Sequence, residues 1–478
     1  MLKTIIEKEI RDLIGSTKFV FTFGVCAILI ILAFYIGATR HKLYQNQYEA
    51  SLSENLRAVE GITDWNELEG TKIFLPPQPL AALVSGVSND IGRTASVEGR
   101  GEIIIEDSRY NEDPVFAIFR FIDLDFIFKV ILSLFAMLLG FDSVSGEKER
   151  GTLRLSFANA LPRHIYIIGK LTGTFLALTI SITVAMAIGA LLLPLMGIKL
   201  SGDEWLRLFI IIITGLLYFG VFLTMSFLVS SLTHRSANSF LILLVVWVLC
   251  IHIVPRISVL LAARSVDVPS VDEIAYQKST LAGQLFNEFD DAMRSYDFSN
   301  ATVNEDGDII DGFNEYVDSL NEIRDTKMKT LASRLEEDRF NRQRVQEKLA
   351  FNLARFSPAT SLSLALSYLA GSSLGLKNDF RDAANSYQSK FADFMTEKTG
   401  MNTGGFMRIR KTVSVDGEAQ EAEQPESIDP REIPEFDFRS AGLAQSIQSS
   451  ITDIGLLFIL NFLFFAGAFI AFARYDVR

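Results

Sequence analysis

The sequence predicts a mainly α-helical membrane protein, with a six-helix transmembrane bundle, an N-terminal amphipathic interface helix and a large, mostly helical extracytoplasmic domain. Hydrophobic residues make up 49% of the 478-residue chain, yet 21% of its residues are charged. The two kinds of residue must therefore be segregated into blocks, as in membrane proteins with sizeable aqueous parts. Six apolar blocks reach or approach the about 20 residues that a helix needs to cross a bilayer.

Residues 1–18 are predicted to form an amphipathic helix that lies in the membrane interface. Leu2, Ile6 and other apolar residues recur at helical spacing, and the polar face carries Glu7, Lys8 and Arg11. That pattern is typical of interfacial helices. An uncleaved signal-anchor flank is the alternative, whereas a cleavable signal peptide is disfavoured because the polar region is long and contains acidic residues.

The six apolar blocks define the predicted spans. These are 19–38, 122–141, 165–195, 206–228, 239–254 and 454–472. The outer end of the second block carries Arg120, Asp123, Asp125 and Lys129. Charges so near hydrocarbon are unfavourable unless they are paired or face water. We expect them to pair with one another or to extend to the interface rather than to form a substrate site.

Two hydrophilic segments interrupt the spans. The first, 39–121, predicts a small insert with one strand in the alternating stretch 102–106. The second, 255–453, is long enough for a domain of its own. Its charged helical patterns at 271–298 and 312–355 predict a long helical hairpin.

Two further stretches of the second segment differ in composition from this hairpin. The region near 400–434 reads as an acidic linker, because it is rich in charge and poor in aromatic residues. The apolar stretch 355–376 either covers the base of the domain or lies on the outer leaflet.

Basic residues in the short flanks predict that both termini are cytoplasmic. Eleven Lys and Arg residues lie in 1–18, 142–164, 229–238 and 473–478, against Lys199 alone in the short loop between the third and fourth spans. Short cytoplasmic loops carry such an excess. The expected location is the cytoplasmic (inner) membrane, crossed six times.

Several classes of function are disfavoured. The net charge of −12 argues against nucleic acid as a partner, since phosphate binding needs clustered Lys and Arg. The four His residues are scattered, so no metal site is expected. No Gly-x-x-x-x-Gly-Lys-Ser/Thr loop occurs, and the nearest string, Gly169-Lys170-Leu171, lacks the spacing. The chain is therefore not expected to be an enzyme or to hold a cofactor.

The charged loop 142–164 is the most informative segment. Gly146 and Gly151 flank a charged run, and Leu153, Leu155 and Phe157 add apolar surface. A charged rim around an apolar centre is typical of a protein interface. The candidate contact residues for a separate motor protein are Glu147, Lys148, Glu149, Arg150, Gly151, Thr152 and Leu153. A loop helix packed on its own bundle is the alternative.

The string Glu147-Lys-Glu-Arg-Gly-Thr-Leu153, followed by Leu161-Pro-Arg163 and Gly169-Lys170, resembles the loop after the second span of ABC transporter type-2 permeases. It is most similar to the branch that includes the permease of the nitrous-oxide-reductase maturation transporter. In that family the loop docks on the nucleotide-binding subunit, and an amphipathic N-terminal helix and six spans surround it. The resemblance covers roughly 1–38, 115–255 and 454–478.

The resemblance implies several partners. It implies an ABC ATPase subunit that binds ATP and Mg²⁺, a second permease copy or paralogue, and the lipid bilayer, with an extracytoplasmic protein as a further candidate. The expected function is export or extraction of an amphipathic or peptide substrate. Two alternatives stay open: a mechanotransmitter that moves nothing across the bilayer, and a membrane-anchored structural or receptor protein without energy coupling.

Overall fold

The computed structural model describes residues 1–68, 70–88, 91–98, 103–106, 123–158, 162–296, 302–303, 309–310, 312–399 and 428–475. Contacts divide the chain into two compact units: Met1–Ile251 together with Ser357–Arg478, and His252–Phe356. Arg120, Leu161 and most of the predicted acidic linker lie outside the described residues.

Six helices of the described chain are long and apolar enough to cross a membrane. They are Thr17–Val59, Leu124–Arg150, Arg163–Leu195, Gly202–Leu232, Ser236–Ser265 and Leu443–Ala473. The predicted mainly α-helical class with six spans is confirmed.

The N-terminal segment forms helix α1, Leu2–Ile14, and the first span lies within helix α2, Thr17–Val59. Ser16 begins α2 by accepting a hydrogen bond from the Phe19 amide. With 43 residues, α2 is about 65 Å long at 1.5 Å per residue. Its length is thus about twice the thickness of the hydrocarbon core of a bilayer, and the helix is far longer than the predicted span 19–38.

The other helices of the first unit are numbered in chain order. They are α3 (Leu124–Phe126 and Ser133–Gly140, joined by a π-helical turn Ile127–Leu132), α4 (Ser145–Arg150), α5 (Thr152–Ala158), α6 (Arg163–Leu195), α7 (Gly202–Leu232), α8 (Ser236–Val248), α12 (Pro358–Ala370), α13 (Gly375–Thr399) and α14 (Leu443–Ala473).

Helix α7 lies at the centre of the bundle. It packs against α14, α3 and α12, and its side chains Tyr218, Phe219, Phe222 and Phe227 are fully buried. Burial of such large side chains makes α7 the element around which the other spans are arranged.

The short helix α12 belongs to the core of this bundle. Ser357 begins it by accepting a hydrogen bond from the Ala359 amide. Leu362, Leu366 and Leu369 are buried in the same hydrophobic cluster as the spans. The structure therefore places the apolar stretch 355–376, which the sequence left between two locations, against α7 and α14.

The two hydrophilic segments build one α/β body within the first unit. Strands β1 (Gly70–Phe74), β2 (Thr94–Glu98) and β3 (Ile104–Glu106) form an antiparallel sheet in the order β1-β2-β3. Helix α13 covers this sheet with Phe380 and Phe391. A three-stranded sheet needs such a partner for its apolar face, and here the partner comes from the other end of the chain.

The second unit, by itself, is a helical hairpin. Its elements are α9 (Val254–Ser265), α10 (Val271–Arg294), strands β4 (Thr302–Val303) and β5 (Ile309–Ile310), and α11 (Gly312–Ala354). Helix α11 packs against α9 and α10. The segment 255–453 was expected as one domain, but only its first half forms this unit, because the apolar residues of α12 and α13 pack into the first.

Candidate functional site

The charged loop folds as two short helices, α4 and α5, joined at Gly151. Gly151 has φ of 72°, in the left-handed region, and it caps α4. Residues with a Cβ rarely adopt this conformation, which explains a glycine here. The chain therefore turns sharply between Arg150 and Thr152, and both helices lie at what we call the loop end of the bundle, the end formed by residues 141–158 and 162–163.

The first turn of α4 is fixed to α7. The Ser230 hydroxyl oxygen of α7 accepts hydrogen bonds from the backbone amides of Val144, at 3.0 Å, and Ser145, at 2.9 Å. Ser145 is itself buried. Two amides at a helix start that would otherwise lack partners are thus satisfied by a neighbouring span.

A buried cluster of charges joins α1, α4 and α6. The Lys170 ammonium of α6 lies 3.3 Å from the Glu9 carboxylate of α1 and also pairs with the Glu147 carboxylate of α4. Its side chain is 7% exposed, and each carboxylate is 17% exposed. The Tyr166 hydroxyl donates a further hydrogen bond to Glu147. We call these four residues the Lys170 cluster.

Two glycines of α6 allow α1 to approach this cluster. A Cβ added at Gly169 would lie 2.9 Å from the Ile5 side chain, and one added at Gly173 would lie 2.9 Å from the Glu9 Cβ. Both distances are too short for real Cβ contacts. The glycines next to Lys170 therefore let the backbone of α1 pack directly on α6.

The Lys170 cluster carries one more negative than positive charge when both carboxylates are ionised. Burial raises the pKa of Glu9, and Lys170 opposes that rise in part. The neighbouring Glu147 carboxylate also raises it. Glu9 is thus the member of the cluster whose charge is least well compensated.

The next two residues of α4 contact other spans. The Lys148 ammonium donates to the Ser231 and Thr233 carbonyl oxygens at the end of α7. The Glu149 carboxylate accepts hydrogen bonds from the Ser236 amide, at 3.1 Å, and from its hydroxyl, at 2.9 Å, where α8 begins. Helix α4 is therefore held by α6, α7 and α8 together.

The predicted contact residues fall into two groups. Glu147 and Lys148 contact the bundle, and Leu153 is only 2% exposed. Glu149, Arg150 and Thr152 are exposed, as are Glu7, Lys8 and Arg11 of α1. Leu155, in α5, is 71% exposed. Buried contacts with the chain's own bundle and exposed side chains thus coexist in one segment.

Sequence reasoning missed Glu9, Tyr166, Lys170 and Ser230. Two signals were available for the charged pair. Glu9 follows Ile6 by three residues, on the apolar face of α1, and Lys170 is an ionisable residue inside an apolar span. Intramembrane charges usually have a partner and a role.

A second polar cluster lies in α3. Lys129 pairs with Asp125 at 2.7 Å, and the Ser363 hydroxyl of α12 donates to Asp125 at 2.7 Å. The Tyr218 hydroxyl donates to the Lys129 carbonyl oxygen at 3.0 Å, within the π-helical turn. The expected mutual pairing of charges is confirmed for Asp125 and Lys129. Asp123 instead accepts hydrogen bonds from backbone amides.

Among the described residues, no group of three His, Cys, Asp or Glu side chains could hold a metal ion. No curated protein sequence matches the chain significantly. A family model described as ABC-2 family transporter protein matches residues 3–477. Permeases of that family normally work with an ABC ATPase. The match covers nearly the whole chain, so this multi-pass membrane protein belongs to the ABC-2 family of transporter proteins.

Proposed function

We propose that the chain is the permease subunit of an ABC transporter, dimeric and driven by a separate ATPase subunit that binds ATP and Mg²⁺. It exports or extracts a substrate and itself supplies neither catalytic residues nor a cofactor. Both termini lie in the cytoplasm, on the side where that ATPase is, as the excess of Lys and Arg in the short flanks favours.

The observation that carries this proposal is the Lys170 cluster. Through it, the amphipathic helix α1, the loop helix α4 and the span α6 share buried ion pairs. Buried charged contacts are short and costly to break. A push on α4 or α1 would therefore move α6 with it, which is what an energised permease without its own motor requires.

The exposed residues beside the cluster supply the docking surface. Glu149, Arg150 and Thr152 extend from the α4–α5 turn, and the exposed apolar Leu155 lies in α5. Charged and apolar surface side by side is typical of interfaces between proteins. On α1, the residues Glu7, Lys8 and Arg11 form a second exposed polar face that the ATPase would contact.

Co-purification with candidate ABC ATPase subunits from the same organism tests the docking claim. The double variant Glu149→Ala/Arg150→Ala is expected to capture less ATPase or to uncouple ATP hydrolysis. A matched control is Asp290→Ala/Arg294→Ala, an exposed ion pair on α10. Thermal unfolding of both variants separates weak docking from misfolding, and unchanged assembly and coupling in the first variant would refute the proposal.

A second candidate function is mechanotransmission to an extracytoplasmic partner without transport. The continuity of α2 favours it, because Phe34 lies in the core of the bundle and Val59 lies in the core of the α/β body. A single helix thus enters both cores. Replacing 271–354 by a short Gly-Ser linker discriminates the two functions: a pore retains basal transport, and a transmitter loses complementation of a deletion strain.

The finer assignment to the branch of the nitrous-oxide-reductase maturation permease rests on the loop motif and stays a prediction. The same holds for an amphipathic or peptide cargo. The apolar crevice between α2, α3, α6 and α7, lined by residues such as Phe23, Phe135 and Phe219, has a volume of only about 20 Å³ and is too small to hold a cargo. Reconstitution with labelled lipids and peptides, followed by measurement of ATPase stimulation, tests the cargo class.

A further inference from the structure

Residues 142–158 carry no net charge, but the fold distributes their positive and negative side chains unevenly. It contains three acidic residues, Asp142, Glu147 and Glu149, and three basic residues, Lys148, Arg150 and Arg154. Read along the chain, these charges are interspersed and suggest a solvated ion-pair segment. In the folded chain the three basic residues share one cavity with only one of the acidic residues, Glu149.

The acidic side chains are turned to the protein's own bundle. Asp142 pairs with Lys18 of α2 at 3.0 Å, and Glu147 pairs with Lys170. Glu149 accepts two hydrogen bonds from Ser236 at the start of α8. All three carboxylates therefore have partners outside the stretch.

The basic side chains line a common cavity at the loop end, where Lys148 also donates to the Ser231 and Thr233 carbonyl oxygens and Arg150 to the Gly146 carbonyl oxygen. The cavity has a volume of about 260 Å³. It is lined by Lys148, Glu149, Arg150, Gly151, Leu153, Arg154 and Tyr475. Three cations and one carboxylate thus surround it, and that carboxylate is hydrogen-bonded to Ser236. A cavity with this excess of positive charge attracts an anionic group.

We propose, resting on the function proposed above, that this cavity receives an acidic side chain of the ATPase subunit. Arg150 and Arg154 would bind its carboxylate, because the planar guanidinium matches a carboxylate with paired hydrogen bonds. Leu155, 71% exposed in the same helix as Arg154, supplies apolar contact area next to the charges. A protein surface provides both kinds of contact, and a lipid phosphate alone provides one.

The test measures the affinity of purified ATPase for the full-length permease in nanodiscs made only of phosphatidylcholine. Arg150→Gln/Arg154→Gln is expected to weaken binding about 100-fold, at about tenfold per charge-assisted contact. Arg150→Glu/Arg154→Glu should weaken it further. The control Arg294→Glu/Arg324→Glu makes the same change of charge on the second unit and should bind as the native chain does.

A compensating change identifies the acidic partner. Single Asp→Lys and Glu→Lys variants of the ATPase surface are tested against Arg150→Glu/Arg154→Glu, and one of them is expected to restore binding. Native affinity in the doubly reversed permease would overturn the proposal. Loss of binding that no ATPase variant restores, together with lost retention of phosphatidylglycerol vesicles, would also overturn it and assign the cavity to a lipid phosphate.

Failure of this proposal is distinguishable from failure of the proposed function. If Leu155→Ala weakens ATPase binding while the two arginine variants do not, the docking surface stands and the carboxylate site is wrong. If Leu155→Ala, Glu149→Ala/Arg150→Ala and both arginine variants all bind natively, the docking surface itself is wrong.

Discussion

Replacing Lys170 by Met is expected to destabilise the loop end of the bundle strongly. Methionine keeps the length and apolar stem of lysine, so packing against α1 is largely preserved. What disappears is the cation that lies 3.3 Å from Glu9 and pairs with Glu147. Two carboxylates, each 17% exposed, then face one another without a counter-charge.

The magnitude follows from the burial of these groups. Breaking a buried ion pair by removing one partner costs about 3–5 kcal/mol. Lys170 pairs with two carboxylates, and among the described contacts Glu147 otherwise accepts a side-chain hydrogen bond only from the Tyr166 hydroxyl. We therefore expect the free energy of unfolding to fall by about 4 kcal/mol.

Unfolding in mixed micelles, titrated with sodium dodecyl sulfate and followed by tryptophan fluorescence, measures the loss. The matched control is the triple variant Lys170→Met/Glu9→Gln/Glu147→Gln, which removes all three charges while keeping side-chain shape. It should regain most of the lost stability, because neutral side chains of similar volume often replace a buried ion cluster without loss. Native-like unfolding of the single variant, or a triple variant no more stable than the single one, would refute the reasoning.

Three further predictions concern neighbouring sites. Burial raises the pKa of Glu9, so the protonated carboxyl stabilises the fold relative to the ionised one. That stabilisation is complete below the ordinary Glu pKa and is lost as pH rises through the raised value. Glu9→Gln, which resembles the protonated carboxyl, should therefore be more stable than the native chain at pH 7 and match it at a pH of about 4 in pH-dependent unfolding. Gly151→Ala should cost about 1 kcal/mol in the same titration, since the left-handed conformation disfavours a Cβ. Lys129→Met should cost about 3 kcal/mol by removing the counter-charge of Asp125, which keeps only neutral donors such as the Ser363 hydroxyl, and adding Asp125→Asn should recover it; equal stabilities would contradict this.

The spans could be predicted from the sequence because membrane crossing depends on length and hydropathy alone. The end of α2 could not, because nothing in hydropathy stops a helix that continues into water. Residues after Ala38 turn polar, yet they keep good helix formers up to Val59. Helix propensity and packing on the α/β body, rather than hydrocarbon, decide where α2 ends.

The α/β body could not be predicted because its parts are far apart in sequence. The strands lie before the second span, and α13 lies after the hairpin of the second unit. Periodicity identifies a helix with an apolar face, but it does not say which sheet that face covers. The residues Phe380 and Phe391 lie in the segment 255–453, which was expected as one separate domain, and instead cover β1–β3.

The loop motif shows the same limit at the scale of single residues. Sequence placed seven contact residues together, whereas the fold turns Glu147, Lys148 and Leu153 inward and leaves Glu149, Arg150 and Thr152 exposed. With about 3.6 residues per turn, the six residues of α4 complete more than one turn and so present side chains to all sides of the helix. Composition could not distinguish an exposed surface from a packed loop because α4 and α5 together provide both.

Inward-facing and exposed residues of the loop should respond differently to substitution. Inward residues connect α4 to α1 and α6 through the Lys170 cluster, so their substitution changes stability and the transmission of movement together. Under the proposed docking, substitution of the exposed Arg150 or Thr152 should change affinity with little effect on unfolding, whereas Glu149 also holds the start of α8 through Ser236. A loss of function at Glu147 is therefore no sign of lost docking, and a loss at Arg150 with native unfolding is. Measuring affinity and unfolding for each loop variant separates the proposed docking surface from the ion pairs that are proposed to connect it to the spans.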